Sequence, residues 1–263
     1  MPARIILSDG EYRHLRTYKH DFFAATGLYA GPSGKVILKL GRLVGLLGLP
    51  MSWLGRYLAD RECAVYRSVA DVPGVPRYLG RWGETGFVHQ FVEGHPLQRN
   101  ESVVDEFFPE LDRLLGELHT RNVAYADLEK RENILVGDDG RPWLIDFQIS
   151  WHWPPSGRQG GQRVVPDELG KFILLRLRQA DRYHLLKHWR RHRADQLTVA
   201  QLEASYRRGF FVELHRRVTR PLTLLRRAAL KKLTGRSRSA KQDGPEFLES
   251  SDAGFTPQAS KQD

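Results

Sequence analysis

LHTRNVAYADLEKRENILVGDDGRPWLIDF, residues 118–147, is the stretch that decides the fold. Two short apolar runs within it are separated by the turn sequence Gly137–Gly140, which reads GDDG and predicts a β-hairpin. Asp127 precedes the hairpin in a loop, Asn133 opens its first strand and Asp146 closes its second. Because a tight hairpin brings its two ends together, we expect Asn133 and Asp146 to be neighbours with Asp127 beside them.

These three side chains have the chemistry that phosphoryl transfer requires. The oxygens of Asn133 and Asp146 are ligands of the kind that Mg²⁺ prefers, and the metal would neutralise the phosphates. The remaining carboxylate, Asp127, would orient or deprotonate an acceptor hydroxyl. The hairpin and its preceding loop therefore predict a magnesium-dependent phosphotransferase.

The same stretch resembles the protein-kinase-like superfamily. LHTRNVAYADL is similar to the catalytic-loop pattern LHxxGVxHRDL, ENILV is similar to the strand that carries the metal-binding Asn, and LIDFQ stands where Asp-Phe-Gly normally stands. Upstream, VILKL places Lys39 at the position of the nucleotide-binding lysine. RECAVYRSV places Glu62 at the position of the helix carboxylate that pairs with that lysine. The resemblance covers roughly residues 17–150, and it implies ATP and Mg²⁺ as cofactors.

The resemblance also implies where the nucleotide binds. GFVHQFVEGHPL is similar to the hinge pattern and aligns His89 with the gatekeeper, and it assigns the backbone of Gln90 to Val92 to adenine. No GxGxxG is present in the sequence. The phosphate-covering turn would instead be Phe22–Gly27, acting through its backbone N–H groups and the Thr26 hydroxyl.

The catalytic loop departs from the family pattern at several positions. Tyr125 and Ala126 replace His-Arg, so no arginine is available to sense a phosphorylated activation loop. Asn133 follows Asp127 by six residues rather than five, so the loop must bulge by one residue. Glu129 replaces the usual basic residue, which leaves the γ-phosphate role to Lys130 or, as an alternative, to Arg131.

The substrate class remains open among three hypotheses. Gln148 replaces the flexible glycine, and nothing resembling Ala-Pro-Glu follows Asp146. The chain therefore resembles the compact lipopolysaccharide (Kdo and heptose) kinases and the RIO-like atypical kinases. The first hypothesis is a kinase for a sugar or lipid-linked sugar, and the second is a RIO-like Ser/Thr protein kinase. The third is a pseudokinase that binds nucleotide and acts as a scaffold without turnover.

The order of the predicted elements gives an α+β, two-lobed protein-kinase-like fold. Residues 1–93 predict a small β-rich lobe with one helix and a hairpin that turns at Gly31–Gly34. Residues 94–235 predict a larger helical lobe, entered through VEGHPL, which we interpret as a linker. Residues 236–263 are rich in Ser, Lys, Gln and Asp and predict a disordered tail.

The composition indicates the cellular compartment of the protein and the kind of partner that it binds. Cys63 is the single cysteine, which excludes an intrachain disulfide and a cysteine-based zinc cluster, and the first residues do not resemble a secretion signal. We therefore expect a cytoplasmic protein. The net charge is +10, with the basic residues concentrated in 171–241, and such a field attracts phosphate-bearing partners.

Two segments predict peripheral association with the inner face of a membrane. The apolar run Leu43–Leu54 is one, and the basic amphipathic segment 215–238 is the other. The alternative for the second is a helix that packs on its own lobe. Nucleic acid is disfavoured as a partner because no recognition motif accompanies the charge. The sequence does not predict an oligomeric state.

The histidines predict structural roles. His119, at a helix end, is expected to be a buried structural residue rather than an acid or base. His184, His188 and His192 recur every four residues, a spacing that would suit zinc on one helix face. They lie among arginines, and we therefore expect them on a surface helix.

Overall fold

An antiparallel sheet of six strands forms the first part of the molecule. The structure, a computed structural model, describes residues 1–20, 24–41, 52–154 and 165–206. The spatial order of the strands is β1-β2-β3-β4-β6-β5. Their bounds are β1 Arg4–Leu7, β2 Gly10–His20, β3 Ala24–Gly31, β4 Gly34–Gly41, β5 Tyr78–Trp82 and β6 Gly86–Gln90.

The hairpin between β3 and β4 turns as predicted, with Gly31 opposite Gly34. Gly31 is required by a close approach, because a Cβ there would lie 2.4 Å from the ring of Tyr12. Tyr12 and Tyr29 are buried in the core of this sheet. The hydroxyl of Tyr29 donates to the carbonyl of Pro2 at 2.8 Å, so its polar end is satisfied.

Helix α1, Ser52–Ser68, is the one helix among the described residues of this small lobe. Its buried residues Val65, Tyr66 and Val69 recur at the spacing of an inward helical stripe. Glu62 lies on the same stripe and is 3% exposed. A carboxylate at such a position needs a partner, because burying an unpaired charge is costly.

The second lobe is mainly helical, with two small sheets. Its helices are α2 Phe107–Thr120, α3 Asp167–Arg193 and α4 Val199–Tyr206. Its strands are β7 Gly94–Pro96, β8 Val123–Ala124, β9 Ile134–Gly137, β10 Pro142–Leu144 and β11 Trp151–His152. The predicted hairpin is present as β9 and β10, and α2 buries an apolar face. The described residues therefore have the α+β, two-lobed architecture that the sequence predicts, with a β-rich lobe followed by a mainly helical lobe.

The VEGHPL segment is more than the linker that the sequence predicts. Residues 94–96 form β7, which pairs with β9, so the segment is the third strand of the hairpin's sheet. Gly94 makes this possible, since a Cβ there would lie 2.2 Å from the carbonyl oxygen of Val136. Pairing with a distant strand decided this conformation, and local sequence does not contain that information.

The expectation of a surface position for the α3 histidines is wrong. His184 and His188 are buried, because α3 packs against α2 and β8 with this face turned inward. His188 Nε2 lies 2.8 Å from the carbonyl oxygen of Leu128, and His192 Nε2 lies 2.9 Å from that of Gln98. Within the described ranges, no group of three or more histidine, cysteine and carboxylate side chains could hold a metal ion.

Several predicted features lie outside the described residues. These are the tail 236–263, the basic segment 215–238, most of the apolar run Leu43–Leu54 and the start of the phosphate-covering turn at Phe22. None of the described helices is both long enough and apolar enough to cross a bilayer.

Candidate active site

Lys39 forms the centre of an ion-pair cluster between the lobes. Its Nζ lies 2.7 Å from Oε1 of Glu62, which α1 supplies, and 2.6 Å from Oδ1 of Asp146, which follows β10. The Lys39 side chain is 13% exposed and that of Glu62 is 4% exposed. The predicted contact between Lys39 and Glu62 is therefore present, and Asp146 shares the same ammonium group.

The carboxylates of Glu62 and Asp146 stabilise the charged form of Lys39. Burial by itself would lower the pKa of Lys39, but the carboxylates of Glu62 and Asp146 outweigh it and raise that pKa. Burial raises the pKa of Glu62, and the neighbouring Lys39 ammonium opposes this rise. The two carboxylates therefore keep Lys39 in its charged form.

Asp127 lies in a second polar cluster on the large lobe. Its Oδ2 accepts hydrogen bonds from Lys130 Nζ at 2.6 Å and from Asn133 Nδ2 at 2.8 Å. Asp127 is 7% exposed. Burial raises the pKa of its carboxyl, while the bonds from Lys130 and Asn133 act in the opposite direction. A buried carboxylate with a raised pKa is a better proton acceptor than one in water.

The loop from Asp127 to Asn133, which is one residue longer than the kinase pattern, ends in a short helix. Residues 131–133 form one turn of 3-10 helix, closed by a bond from the N–H of Asn133 to the carbonyl of Lys130 at 3.2 Å. The Asn133 side chain consequently still reaches Asp127. The N–H of Ile145 donates to the Asn133 carbonyl at 3.1 Å, so the ends of the hairpin meet as predicted.

A cleft between the lobes connects these groups. Six predicted site residues line it, namely Thr26, Lys39, Glu62, Val92, Asn133 and Asp146. Ile37 and Leu135 supply apolar surface to the cleft from the small and the large lobe. Asp127 and Lys130 are not part of this lining, and they join the site through Asn133.

Gln90 differs from the other predicted nucleotide contacts. The N–H of Gln90 already donates to the carbonyl of Arg77 at 2.8 Å, and the N–H of Phe91 donates to that of Lys35 at 3.2 Å. The carbonyl oxygen of Gln90 lies 2.8 Å from Nδ1 of His89. The backbone group of Gln90 that could still contact a nucleotide is therefore its carbonyl, which the His89 side chain already contacts.

Three aromatic rings, those of Tyr66, Phe147 and Tyr125, pack in a row beside Asp146. The rings of Tyr66 and Phe147 meet edge to face at 5.0 Å between centroids, and those of Phe147 and Tyr125 meet in the same way at 5.2 Å. All three rings are buried. The Tyr125 hydroxyl donates to the carbonyl of Ile145, next to Asp146. This packing connects α1, the catalytic loop and the segment after β10.

Asp181 on α3 is a site residue that the sequence analysis missed. Its carboxylate accepts the backbone N–H groups of Tyr125 and Ala126, each at 2.8 Å, and it lies 3.1 Å from His119 Nε2. Asp181 is 1% exposed. It occupies the same inward face of α3 as Leu174 and Leu185, and an acidic residue on that stripe was the available signal. His119 contacts Asp181 but is only partly buried, whereas the sequence predicts a buried residue.

Asp181 holds a strained part of the catalytic loop. Ala126 has a φ of 66° and Asp146 has a φ of 62°, both in the left-handed region that side chains with a Cβ avoid. Residues in such conformations cost on the order of 1–3 kcal/mol and persist where the surroundings fix them. Two bonds from a buried carboxylate supply that constraint at Ala126 and Tyr125.

Hydrogen bonds and strand pairing join the segment after Asp146 to the residues that precede Asp127. Ser150 Oγ donates to the carbonyl of Tyr125 at 2.9 Å, and Arg61 Nη2 donates to the carbonyl of Ser150 at 3.0 Å. Trp151 pairs with Ala124 between β11 and β8, and its ring stacks on that of Trp153. These contacts hold the segment although Ala126, and not an arginine, precedes Asp127.

Comparisons with known proteins give structural likenesses and no sequence match. No family model matches the sequence, and no curated protein matches it. Among solved structures, the chain is similar to the Rio2 kinase from Chaetomium thermophilum in its ADP/Mg²⁺-phosphoaspartate complex. The two are 18% identical with a TM-score of 0.48, and the match covers 72% of this chain and 59% of that kinase. The chain thus spans less than two thirds of the length of that structure.

Proposed function

We propose that this protein is an ATP-dependent phosphotransferase that moves the γ-phosphoryl group to a hydroxyl acceptor. The observation that carries the proposal is the position of Lys39, which bridges Glu62 at 2.7 Å and Asp146 at 2.6 Å at the wall of an interlobe cleft. A charged ammonium held in this way binds phosphate oxygens with little reorganisation.

The donor set at the cleft fits Mg²⁺. Asp146 and Asn133 both line the cleft and supply a carboxylate and an amide oxygen. Mg²⁺ commonly binds through one or two carboxylates together with substrate phosphates and water, so a larger protein cluster is not required. When bound, the metal would neutralise charge on the phosphates.

The residues of the chain perform the remaining steps. Lys39 exchanges its contact with Asp146 for the α and β phosphates and keeps its contact with Glu62. Asp127 accepts a hydrogen bond from the acceptor hydroxyl and takes its proton as the oxygen attacks the γ phosphorus. Lys130, 2.6 Å from Asp127, offsets negative charge on the migrating group.

The acceptor is proposed at the level of a class. The basic content of residues 171–241 favours a lipid-linked sugar, as in the lipopolysaccharide-kinase type, for a protein that works at the inner face of a membrane from the cytoplasmic side. A protein hydroxyl, as for a RIO-like Ser/Thr kinase, fits the described site equally well. A pseudokinase scaffold is the third candidate, because the loop from Asp127 to Asn133 is one residue longer than the family pattern.

The test is Mg²⁺-dependent ATP turnover by the purified protein, with and without a membrane lipid and glycolipid extract. Asp127→Ala and Asp146→Asn are expected to abolish turnover. Asp138→Asn is the matched control, because Asp138 is an exposed residue in the turn of the same hairpin. Stimulation by the extract would favour the lipid-sugar acceptor, and labelling of the protein itself would favour the protein acceptor. ATP binding without turnover would point to the scaffold, and absence of ATP binding would refute the proposal.

A further inference from the structure

His89 is a buried titratable side chain of the cleft that the proposed reaction does not use. It belongs to β6, lines the cleft and is 7% exposed. Its ring stacks on that of Tyr66 with centroids 5.6 Å apart and planes 15° apart. Phe87 lies against it at 6.0 Å. These contacts cover the faces of the imidazole and fix its orientation, so its edges are the parts left to make polar contacts.

The hydrogen bond of His89 determines which nitrogen carries the proton. Nδ1 lies 2.8 Å from the carbonyl oxygen of Gln90, and a carbonyl can only accept. Nδ1 is therefore the protonated nitrogen. Burial lowers the pKa of His89 to about 4, so the imidazole is neutral at pH 7. A neutral imidazole with its proton on Nδ1 has a lone pair on Nε2, which is then an acceptor.

Nothing in the described part of the chain donates to this lone pair. The contacts recorded for His89 are the bond to Gln90 and the aromatic packing with Tyr66 and Phe87. Nε2 is not one of the enclosed polar atoms that lack a partner, and the open side of His89 is the cleft, so the lone pair is accessible from there. A ligand in the cleft can supply the missing donor. The apolar walls at Ile37 and Leu135 suit a flat ring beside it.

We propose that His89 selects the base of the bound nucleotide, because its Nε2 accepts a hydrogen bond from the exocyclic amino group of a 6-aminopurine. A 6-oxopurine places an acceptor opposite the same lone pair and is rejected. This inference rests on the proposed function, since it places a nucleoside triphosphate in the cleft. The Gln90 carbonyl, already engaged by Nδ1, is the alternative partner for the amino group.

The experiment measures equilibrium binding of three triphosphates to the full chain with Mg²⁺ at pH 7.5. The probes are ATP, GTP and purine riboside triphosphate, which is ATP without the 6-amino group. For the native protein, ATP is expected to bind about tenfold more tightly than purine riboside triphosphate and about tenfold to a hundredfold more tightly than GTP. In His89→Leu the three are expected to bind within about threefold of one another. His89→Gln, which keeps an acceptor oxygen, is expected to retain part of the preference for ATP.

Each outcome supports or overturns the inference. Equal binding of ATP and purine riboside triphosphate by the native protein would overturn it and leave the proposed function intact. A preference for ATP that persists unchanged in His89→Leu would overturn it too and would assign the amino group to the Gln90 carbonyl. Failure of every triphosphate to bind the native protein would be a failure of the proposed function. If His89→Leu does not fold, the comparison of the native protein with His89→Gln decides the question. A partly retained preference for ATP over both GTP and purine riboside triphosphate in His89→Gln supports the acceptor role, and loss of both preferences contradicts it.

Discussion

Lys39 and Asp146, 107 residues apart in the chain, are joined by an ion pair of 2.6 Å between Nζ and Oδ1. One residue belongs to the sheet of the small lobe and the other follows a strand of the large lobe. The pair connects the lobes directly across the cleft. Glu62, in the same cluster, is buried, so removal of the Lys39 ammonium would leave its carboxylate buried without a charged partner.

Replacement of Lys39 by Met should impair both stability and turnover. The change leaves the buried Glu62 carboxylate without its ammonium, and loss of one partner of a buried ion pair costs about 3–5 kcal/mol. Turnover should fall by at least about a hundredfold, since a charge that binds phosphates is lost. Urea unfolding and steady-state kinetics measure the two effects.

Lys35→Met is the matched control for this prediction. Lys35 lies on the same strand and pairs with Glu93 at 2.9 Å, but both side chains are exposed. An exposed pair contributes about 0–1 kcal/mol, so the control should unfold and turn over like the native protein. Equal behaviour of the two variants would contradict a special role for Lys39.

Replacement of Asp181 by Ala should reduce the maximal turnover rate and leave the affinity for ATP nearly unchanged. The change leaves two buried backbone N–H groups, those of Tyr125 and Ala126, without an acceptor, at a cost of about 1–3 kcal/mol each. The loop that carries Asp127 then loses its fixed conformation, whereas Lys39 and the hinge are not touched. A large increase in KM for ATP with an unchanged kcat would argue against this positioning role.

Asp195→Ala serves as the control on the same side of the lobe. Asp195 is exposed and pairs with Arg193. Its removal should change neither kcat nor KM. Partial recovery in Asp181→Asn, which keeps one acceptor oxygen, would further separate positioning from a general loss of folding.

Stability should fall as the pH is lowered from about 6.5 to about 4. Burial lowers the pKa of His188 from 6.5 to about 4, as it does for His89. Between these values the unfolded chain binds more protons than the folded one, so the free energy of unfolding decreases by about 1.4 kcal/mol per pH unit for each such histidine. Chemical unfolding at a series of pH values measures the slope.

The contribution of His188 can be isolated with His188→Gln, whose amide can still donate to the carbonyl of Leu128. The free energy of unfolding of the native protein should decline more steeply with acid than that of the variant, by about 1.4 kcal/mol per pH unit within this window. Parallel slopes would show that His188 does not titrate as its burial requires.

Phosphatase treatment should leave activity unchanged. Ala126 provides no guanidinium to bind a phosphorylated loop, and the segment from Phe147 to residue 154 is fastened by Ser150, Arg61 and the strand pair at Trp151. Turnover before and after treatment, checked by intact mass, tests this. A severalfold loss of activity on dephosphorylation would show that a phosphate-dependent control exists.

Local sequence determined a large part of this site. The turn chemistry of GDDG predicts the hairpin, and the hairpin by itself brings residues 133 and 145 together at its base. The helical spacing around Glu62 places that carboxylate on the inward face of α1. These two inferences depend on turn type and periodicity, which a few neighbouring residues encode. The pairing of Lys39 with Glu62 was implied instead by the resemblance of VILKL and RECAVYRSV to the kinase pattern.

Only the tertiary structure decided the rest. Asp181 reaches the N–H groups of Tyr125 and Ala126 across 56 and 55 residues, and VEGHPL becomes a strand through pairing with β9. The histidines of α3 point inward because α2 and β8 cover that face. Such contacts join segments that are far apart in the chain, and their free energy exists only after the lobe has packed. The sequence thus specified the reacting groups, and the packed lobes specified the groups that hold them in place.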